Sequence, residues 1–436
     1  MPTHSFRRSL EMFSSMILIF QMFAVFYYTI QTETRNLWRK ERNGSDSSPR
    51  LYDPSCYLEL KLEKSSMPII HSVFADPISH EVVAVGVRFW FENWHEDSFF
   101  CEFRGPKGRV LIRVADPILK DYQRFGARAQ YVFVLTCPVP EPLYGMQKLT
   151  LALRRASNTS LAYENITVCH SQPREGKKRF LSMCTMLKDM DVAVPKWLDY
   201  HRYLGVEHVY IYDNSNTSTL HQTVRQYVDS GFLTIIPWAH AYSPGKTYLE
   251  VQIAHENDCL WRNRHWADWM IKIDVDEFLQ PMDPSVPLIT DILRKYNEFM
   301  KSIGSLRVQN WFFCRGWNQT RISNQTQHHH ESVFERNQFR SRKPTPVNTG
   351  RDKAVVRPIN VHFFKIHGVK LGGDTITLSP QTEMRMVHYR GDNRLHSGFR
   401  CSDKQPTKDS SMCRLWAKMQ GFEMTGHQRA MELNCL

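Results

Sequence analysis

The sequence contains no C-x-x-C pair, no G-x-x-x-x-G-K-S/T loop and no G-x-G-x-x-G after the first strand of its α/β portion. Those gaps argue against a zinc ribbon or thioredoxin-type site, a P-loop NTPase and a Rossmann dinucleotide enzyme. Low-complexity tracts are also missing. With 42% apolar and 23% charged residues, and 25 Phe, 17 Tyr and 11 Trp among 436, the chain is neither disordered nor collagenous. That length affords a sizeable core and implies two or three domains. The net charge of +12 favours anionic partners without choosing among phosphates, nucleic acid and membrane headgroups. The basic residues are dispersed and form no single stripe, which disfavours a nucleic-acid binder.

Charge is absent from Met12 to Ile30, nineteen residues that would make about 28 Å of helix, close to a bilayer core. Arg7 and Arg8 precede the run, Tyr27 and Tyr28 sit where an interfacial belt would lie, and no small-x-small cleavage site is visible. The reading is a type II signal-anchor, with a cytosolic tail over 1–9 and the span over 10–31. Arg35, Arg39, Lys40 and Arg42 follow the span, so charge alone does not set the orientation. Six N-x-S/T sequons, at Asn43, Asn158, Asn165, Asn216, Asn318 and Asn324, all lie beyond it and favour a luminal chain. The ten cysteines are even in number and scattered, which reads as luminal disulfides, with Cys101 and Cys137 the first expected pair.

Residues 32–55 are polar and read as a stem. Over 56–175 the runs EVVAVGVRFWF, GRVLIRVA, AQYVFVLTC and QKLTLALRR are short, β-branched or aromatic, and separated by turn residues, as in a small β-sandwich. From 176 to 436 the character alternates. FLSMCTM, VEHVYIYD, FLTIIPW and WMIKID read as strands, with helices between them, the first closing at Gly205. That rhythm implies a parallel α/β sheet with ligands beyond the carboxyl ends of its strands.

The fourth of those strands stops at Asp274-Val275-Asp276-Glu277-Phe278. In an extended chain Asp274 and Asp276 face one side, and two hard oxygen ligands there suit Mn²⁺ or Mg²⁺, which in turn neutralises a diphosphate leaving group. A D-x-D elsewhere is usually a solvated turn, but the apolar approach of this one points to a metal-diphosphate site.

From Phe180 to about Cys401 the chain resembles glycosyltransferase family 92. The resemblance rests on ordered blocks: CTMLKD, Trp197 to His201 followed by LGVEHVYIYDN, Gln252 to Cys259, DVDEF, Lys353-AVVRP-x-N-V and MVHYRG. It implies a GT-A fold, an inverting mechanism, a UDP-galactose donor, Mn²⁺ and residence in the Golgi membrane as a single-pass type II protein. The preceding β-rich segment resembles the family's accessory, carbohydrate-binding-like domain. Donor sugar and linkage come from this resemblance alone; the anchor, lumen, sheet and metal site are also read from the residues.

Carried over by position, Asp274 and Asp276 are the D-x-D, with Asp276 the direct Mn²⁺ contact and Glu277 orienting it. His388 resembles the late histidine that GT-A enzymes add to the metal, a role suited to neutral imidazole, and His367 is the competing candidate. Asp213 and Asn214 close the second strand, where GT-A enzymes hold uridine or ribose, or where an Asx turn simply ends the strand. Lys188 is placed to meet the nucleotide, and Lys353 and Arg357 to balance diphosphate charge. Gln252 faces the same region, while Asn257 and Asp258 read as braces. Trp311, with Phe312, Phe313 and Trp317, offers a platform for galactose or a packed core. For the general base Glu335 leads Glu331, Asp374 and Asp392 because its block also resembles a family pattern.

The function expected is transfer of galactose from UDP-galactose to a galactose- or fucose-terminated glycan, in β-1,4 linkage, on a glycoprotein, glycolipid or polysaccharide. The alternatives are another UDP-sugar donor on the same fold and a non-catalytic glycan-binding protein. A homodimer is left open.

Overall fold

The computed structural model of the chain describes residues 60, 69–76, 78–89, 99–105, 110–115, 118–122, 130–144, 150–170, 178–215, 219–238, 248–299, 301–314, 332–389, 406–421 and 435. The uncharged run at 12–30 and the stem lie outside them. Among the described residues no helix is long and apolar enough to cross a membrane.

The β-rich stretch is two sheets face to face. Its strands are β1 (Ile69–Asp76), β2 (Glu81–Phe89), β3 (Phe99–Arg104), β4 (Val110–Ala115), β5 (Ile118–Tyr122), β6 (Gln130–Pro138), β7 (Thr150–Arg155), β8 (Ala162–Thr167) and β9 (Cys169–His170). One sheet runs β5-β6-β2-β1-β9 and the other β4-β3-β7-β8. Alternation puts Val82, Ala84, Phe133 and Leu135 of the first sheet against Phe99, Phe103, Leu151 and Leu153 of the second. The Cys101–Cys137 disulfide is the expected pair, and it ties β3 to β6 across the two sheets.

The remaining elements begin with β10 (Arg179–Leu187), α1 (Val194–Tyr203), β11 (His208–Asp213), α2 (Thr219–Asp229), β12 (Leu233–Pro237), α3 (Tyr248–Asn263) and β13 (Ala267–Lys272). They continue with β14 (Glu277–Pro281), α4 (Ile289–Phe299), β15 (Ile303–Val308), β16 (Asn310–Cys314), α5 (Val333–Arg336) and β17 (Phe339–Arg340). Last come β18 (Lys353–Val356), β19 (Phe363–Lys365), β20 (Gly368–Leu371), β21 (Asp374–Thr377), β22 (Met384–His388), β23 (Thr407–Lys408) and α6 (Ser411–Met419).

The four expected strands pair in parallel, in the order β12-β11-β10-β13. The sheet as a whole is mixed, because β18 inserts antiparallel between β13 and β15, and β21 closes that edge. Gly205 takes φ +100° just after α1, a conformation that glycine adopts without a Cβ clash.

Helix α3 is apolar and polar by turns, yet from Gln252 to Asn263 it is buried on every side. Towards the sheet it meets β10 and β13; on its other side it packs against β1, β2 and β6 of the sandwich. Phe74, Val83, Val85, Val132 and Val134 therefore share a core with Ile253, Ala254, Leu260 and Met270. The Cys184–Cys259 disulfide fastens the helix to β10. Beside it Arg264 donates to Asp76 Oδ2 at 2.6 Å and to the Pro358 and Val361 carbonyls. A second disulfide-held segment is the C-terminal one, where Cys413 of α6 joins Cys435.

Candidate active site

Strand β13 carries its last residues out of the sheet, the turn Ile273 to Asp276 follows, and β14 starts at Glu277. The turn closes on itself: Glu277 N donates to Asp274 O at 2.9 Å, and Asp274 N donates to Glu277 Oε2 at 2.8 Å. Antiparallel pairing of β14 with β22 sets His388 opposite Glu277, and Tyr389 N donates to Asp276 O at 2.9 Å. Register thus brings residues over 110 positions apart together. His388 Nε2 lies 3.5 Å from Asp276 Oδ2, and its Nδ1 lies 3.7 Å from Glu277 Oε1.

The W-L-x-Y-H block supports this strand from below. Trp197 Nε1 donates to Glu277 O at 3.0 Å and Tyr200 OH to Leu279 O at 2.9 Å, both fully buried. The N-D-C block braces the other side. Asn257 bonds both ways with the Phe364 backbone, while Asp258 accepts from Tyr212 OH and from Arg262.

Two buried lysines meet beneath the turn. Lys353 Nζ donates to Asp274 Oδ2 at 2.9 Å and lies 3.1 Å from Glu277 Oε2. Lys272 Nζ lies 3.2 Å from Asp274 Oδ1 and 2.9 Å from Glu256 Oε1, and neither Lys272 nor Glu256 has any exposed side-chain area. Burial alone would raise the Asp274 carboxyl, but the two ammonium groups hold it far below the usual carboxylate range. Burial raises Glu277 above its ordinary value. Burial also opposes a charged His388, yet the Asp276 and Glu277 carboxylates outweigh it and raise its pKa. His388 is therefore a base in a carboxylate cage.

The fit to a divalent cation is specific to two groups. Asp274, itself partly exposed, has both carboxylate oxygens paired with lysines, whereas Asp276 and His388, also partly exposed, have no lysine among the described residues within ion-pair distance. Their 3.5 Å separation is of the order that two ligand atoms adopt when each lies about 2.1 Å from one cation. Glu277 Oε1 lies 3.7 Å from the far ring nitrogen, on the side where metal-bound histidines have a carboxylate partner. Among the described residues no three His, Cys, Asp or Glu side chains gather as a ready-made metal cluster. A cation here would need oxygens from a ligand to complete its shell.

Other expected site residues fall into two groups. Asp213 and Lys188 sit at the carboxyl ends of the adjacent strands β11 and β10, on the edge where β13 delivers Asp274. Asp213 does form an Asx turn, accepting from Ser215 N at 2.9 Å, and burial raises its carboxyl. Asn214 is buried, its N donating to Leu187 O, and Gln252 is buried on α3. His367 donates through Nδ1 to Asp352 O at 3.0 Å; burial, with Lys353 adding, lowers it to about 4.

The second group is not brought to the cluster. Arg357 follows Lys353 by four residues, about 13 Å along an extended strand, and lies over the Trp269 ring. Trp311 turns into the core under Arg340 and Arg385, donating to Ser341 O; its neighbour Phe312 faces the site, 5.1 Å from the His388 ring. Glu335 is the glutamate of a capping box, its carboxylate accepting from Ser332 N. Asp374 starts β21 against Ile303, at the opposite end of β15 from Lys353's partner Val308. Glu331, Asp392 and Trp317 lie outside the described residues.

Lys272 and Glu256 were missed in the sequence, though both left a signal. A lysine inside the apolar run WMIKID, and four consecutive polar residues His255 to Asp258 in a helix, are costly unless they are paired.

The family model of glycosyltransferase family 92 matches residues 180–412. A family 92 protein of Ricinus communis is 25% identical over 192 residues, 40% of this chain and 32% of that one. The β-1,4-galactosyltransferase galt-1 of Caenorhabditis elegans is 21% identical over 228 residues, 49% of this chain and 51% of its own. The galactan β-1,4-galactosyltransferase GALS2 of Arabidopsis thaliana is 26% identical over 204 residues, 45% and 37% respectively. The chain thus spans between a third and a half of the length of these relatives. Among solved structures, a glucosyl-3-phosphoglycerate synthase of Mycobacterium tuberculosis with Mn²⁺ and UDP aligns at 14% identity over 31% of this chain and 44% of that chain, with a TM-score of 0.20.

Proposed function

The chain belongs to glycosyltransferase family 92, and from that premise we propose that it is an inverting, Mn²⁺-dependent galactosyltransferase of the GT-A type. It moves galactose from UDP-galactose to a galactose- or fucose-terminated glycan in β-1,4 linkage. The observation that carries the reading is the Asp276–His388 pair, 3.5 Å apart and partly exposed at the carboxyl edge of the sheet, beside an Asp274 whose two oxygens are paired with lysines. The names of the curated relatives support the sugar and the linkage.

In this reading Asp276 and His388 hold the cation, which neutralises the departing diphosphate. Glu277 orients the imidazole. Lys188, Asp213, Asn214 and Gln252 line the nucleotide side, and Phe312 offers the apolar face for a sugar ring. Glu335 is engaged in its cap, which weighs against it as the base for the acceptor's proton. The same reading places the protein in the Golgi membrane as a single-pass type II protein with its sheets in the lumen. Three disulfides among the described residues and the exposed sequon residues Asn158 and Asn165 support an oxidising, glycosylating compartment.

The test uses the full chain in detergent with UDP-galactose and Mn²⁺ against galactose- and fucose-terminated acceptors. Product lost with EDTA and in Asp276→Asn supports the reading. Faster turnover of another UDP-sugar replaces the donor. Glycan binding without turnover of any donor replaces the enzyme with a glycan-binding protein.

A further inference from the structure

We infer that Lys353 is a positioning residue: with one ammonium group it engages Asp274 Oδ2 and Glu277 Oε2, and through Glu277 it sets the carboxylate beside His388, the partner of Asp276 at the cation. The inference rests on the metal-dependent reading above and assigns a role to a residue expected to meet the diphosphate.

The geometry is a chain of single contacts. Lys353 Nζ donates to Asp274 Oδ2 at 2.9 Å and approaches Glu277 Oε2 at 3.1 Å, with only 3% of its side chain exposed. That same Glu277 oxygen accepts from Asp274 N at 2.8 Å, so Oε2 is fully engaged on the lysine side. Oε1 is the oxygen left on the His388 side, 3.7 Å from Nδ1, an electrostatic contact longer than a hydrogen bond, while Nε2 lies 3.5 Å from Asp276 Oδ2. Lys272 meanwhile takes Asp274 Oδ1 and anchors to Glu256 below.

A lysine so buried and so placed is ill-suited to reach a diphosphate beyond the turn. Both of its acceptors belong to the protein, and moving it outward would strand the buried Glu277 carboxylate. Its influence on the cation therefore passes through Glu277. Asp274, with both oxygens engaged, is a neutralised knot that contributes little to metal affinity.

The experiment measures Mn²⁺ binding by the full chain in detergent with UDP present, reading free Mn²⁺ by EPR, so no turnover is needed. Lys353→Met and Glu277→Gln each weaken Mn²⁺ by about 10- to 100-fold, the range for groups that orient a metal-bound histidine. Because they act on one path, the double variant is no weaker than the worse single one. Multiplying effects overturn the inference. A second arm leaves the lysine untouched, in case Lys353→Met fails to fold: Asp276→Asn abolishes Mn²⁺ binding, while Asp274→Asn weakens it by less than about threefold. Equal losses for the two aspartates overturn the inference as well. If the unaltered protein takes up no Mn²⁺ with UDP, the metal-dependent reading itself falls, an outcome distinct from either of these.

Discussion

Glu102 in the sandwich and Asp274 in the α/β sheet are both carboxylates enclosed by cations, and only one of them belongs to an open site. Glu102 lies on the outer face of β3, with Arg154 Nε at 2.7 Å, Arg113 Nη2 at 2.5 Å and Arg104 Nη2 at 3.1 Å. Burial would raise it, but the three guanidinium groups bring it to about 2. Arg104 and Arg154 then turn to Glu164, so each charge in the group closes on another within one sheet face. Around Asp274 the same neutralisation is followed, two residues later, by a carboxylate and an imidazole facing each other. Charge density does not distinguish these clusters. What distinguishes them is whether the last pair is satisfied.

The comparison breaks first at Asp276. On the proposed metal-dependent reading, Asp276→Asn is expected to lower kcat/KM by at least about 10³-fold, since losing a direct cation contact would remove several kcal/mol of charge stabilisation, while thermal unfolding stays within about 1 °C of the parent. Glu102→Gln should do the reverse. It leaves three arginines around a neutral amide on a largely buried face, about 3 kcal/mol of stability lost and a melting temperature lower by roughly 5 °C, with KM and kcat of the folded protein unchanged. A Glu102 variant with altered KM would make the sandwich face part of the site.

Acid sharpens the contrast between the halves. His201 and His208 are buried and neutral, pushed down to about 3 chiefly by burial, so the unfolded chain takes up their protons first. Their folded pKa is depressed, so stability is full above the unfolded value near 6.5 and falls as pH drops from there towards 3. The loss is up to about 1.4 kcal/mol per pH unit for each ring. Glu102, lowered from 4.5 to about 2, contributes stability present above 4.5 and lost only between 4.5 and 2. Chemical-denaturant titrations should therefore show stability falling already between pH 6.5 and 5. His208→Gln should flatten that early slope by one proton and leave the later loss in place. An unchanged early slope would mean that His208 is protonated in the fold.

The legible parts of the sequence were those with local periodicity. Four parallel strands, their helices and the carboxylate end of β13 follow from apolar alternation and turn residues, because neighbours in sequence decide them. The strand β1 is less legible: IIHSVFAD breaks its alternation at a register shift between Ile70 and Ser72, which buries both His71 and Ser72. The lysine pair was equally hidden. Lys353 reaches Asp274 across 79 residues because β18 enters the sheet antiparallel next to β13, a pairing no local pattern states. The Phe312–Trp311 choice depended on which face of β16 meets β22, and that follows from register rather than composition.

That last pair gives the smallest expected effect and the finest test of the contrast between open and closed charge. Phe312 and Trp311 are adjacent on one strand and point opposite ways, one ring against His388, the other beneath two guanidinium groups. Phe312→Leu removes an aromatic face worth about 1 kcal/mol at the mouth of the site, so KM for the acceptor or donor should rise about fivefold with little change in melting temperature. Trp311→Leu leaves a cavity among Arg340, Arg385 and Phe313 and should lower the melting temperature with KM unmoved in the folded fraction. The measurement is a pair of Michaelis curves beside a pair of melts. If both variants move KM alike, β16 meets the substrate through both faces, and the register that separates Trp311 from the site is wrong.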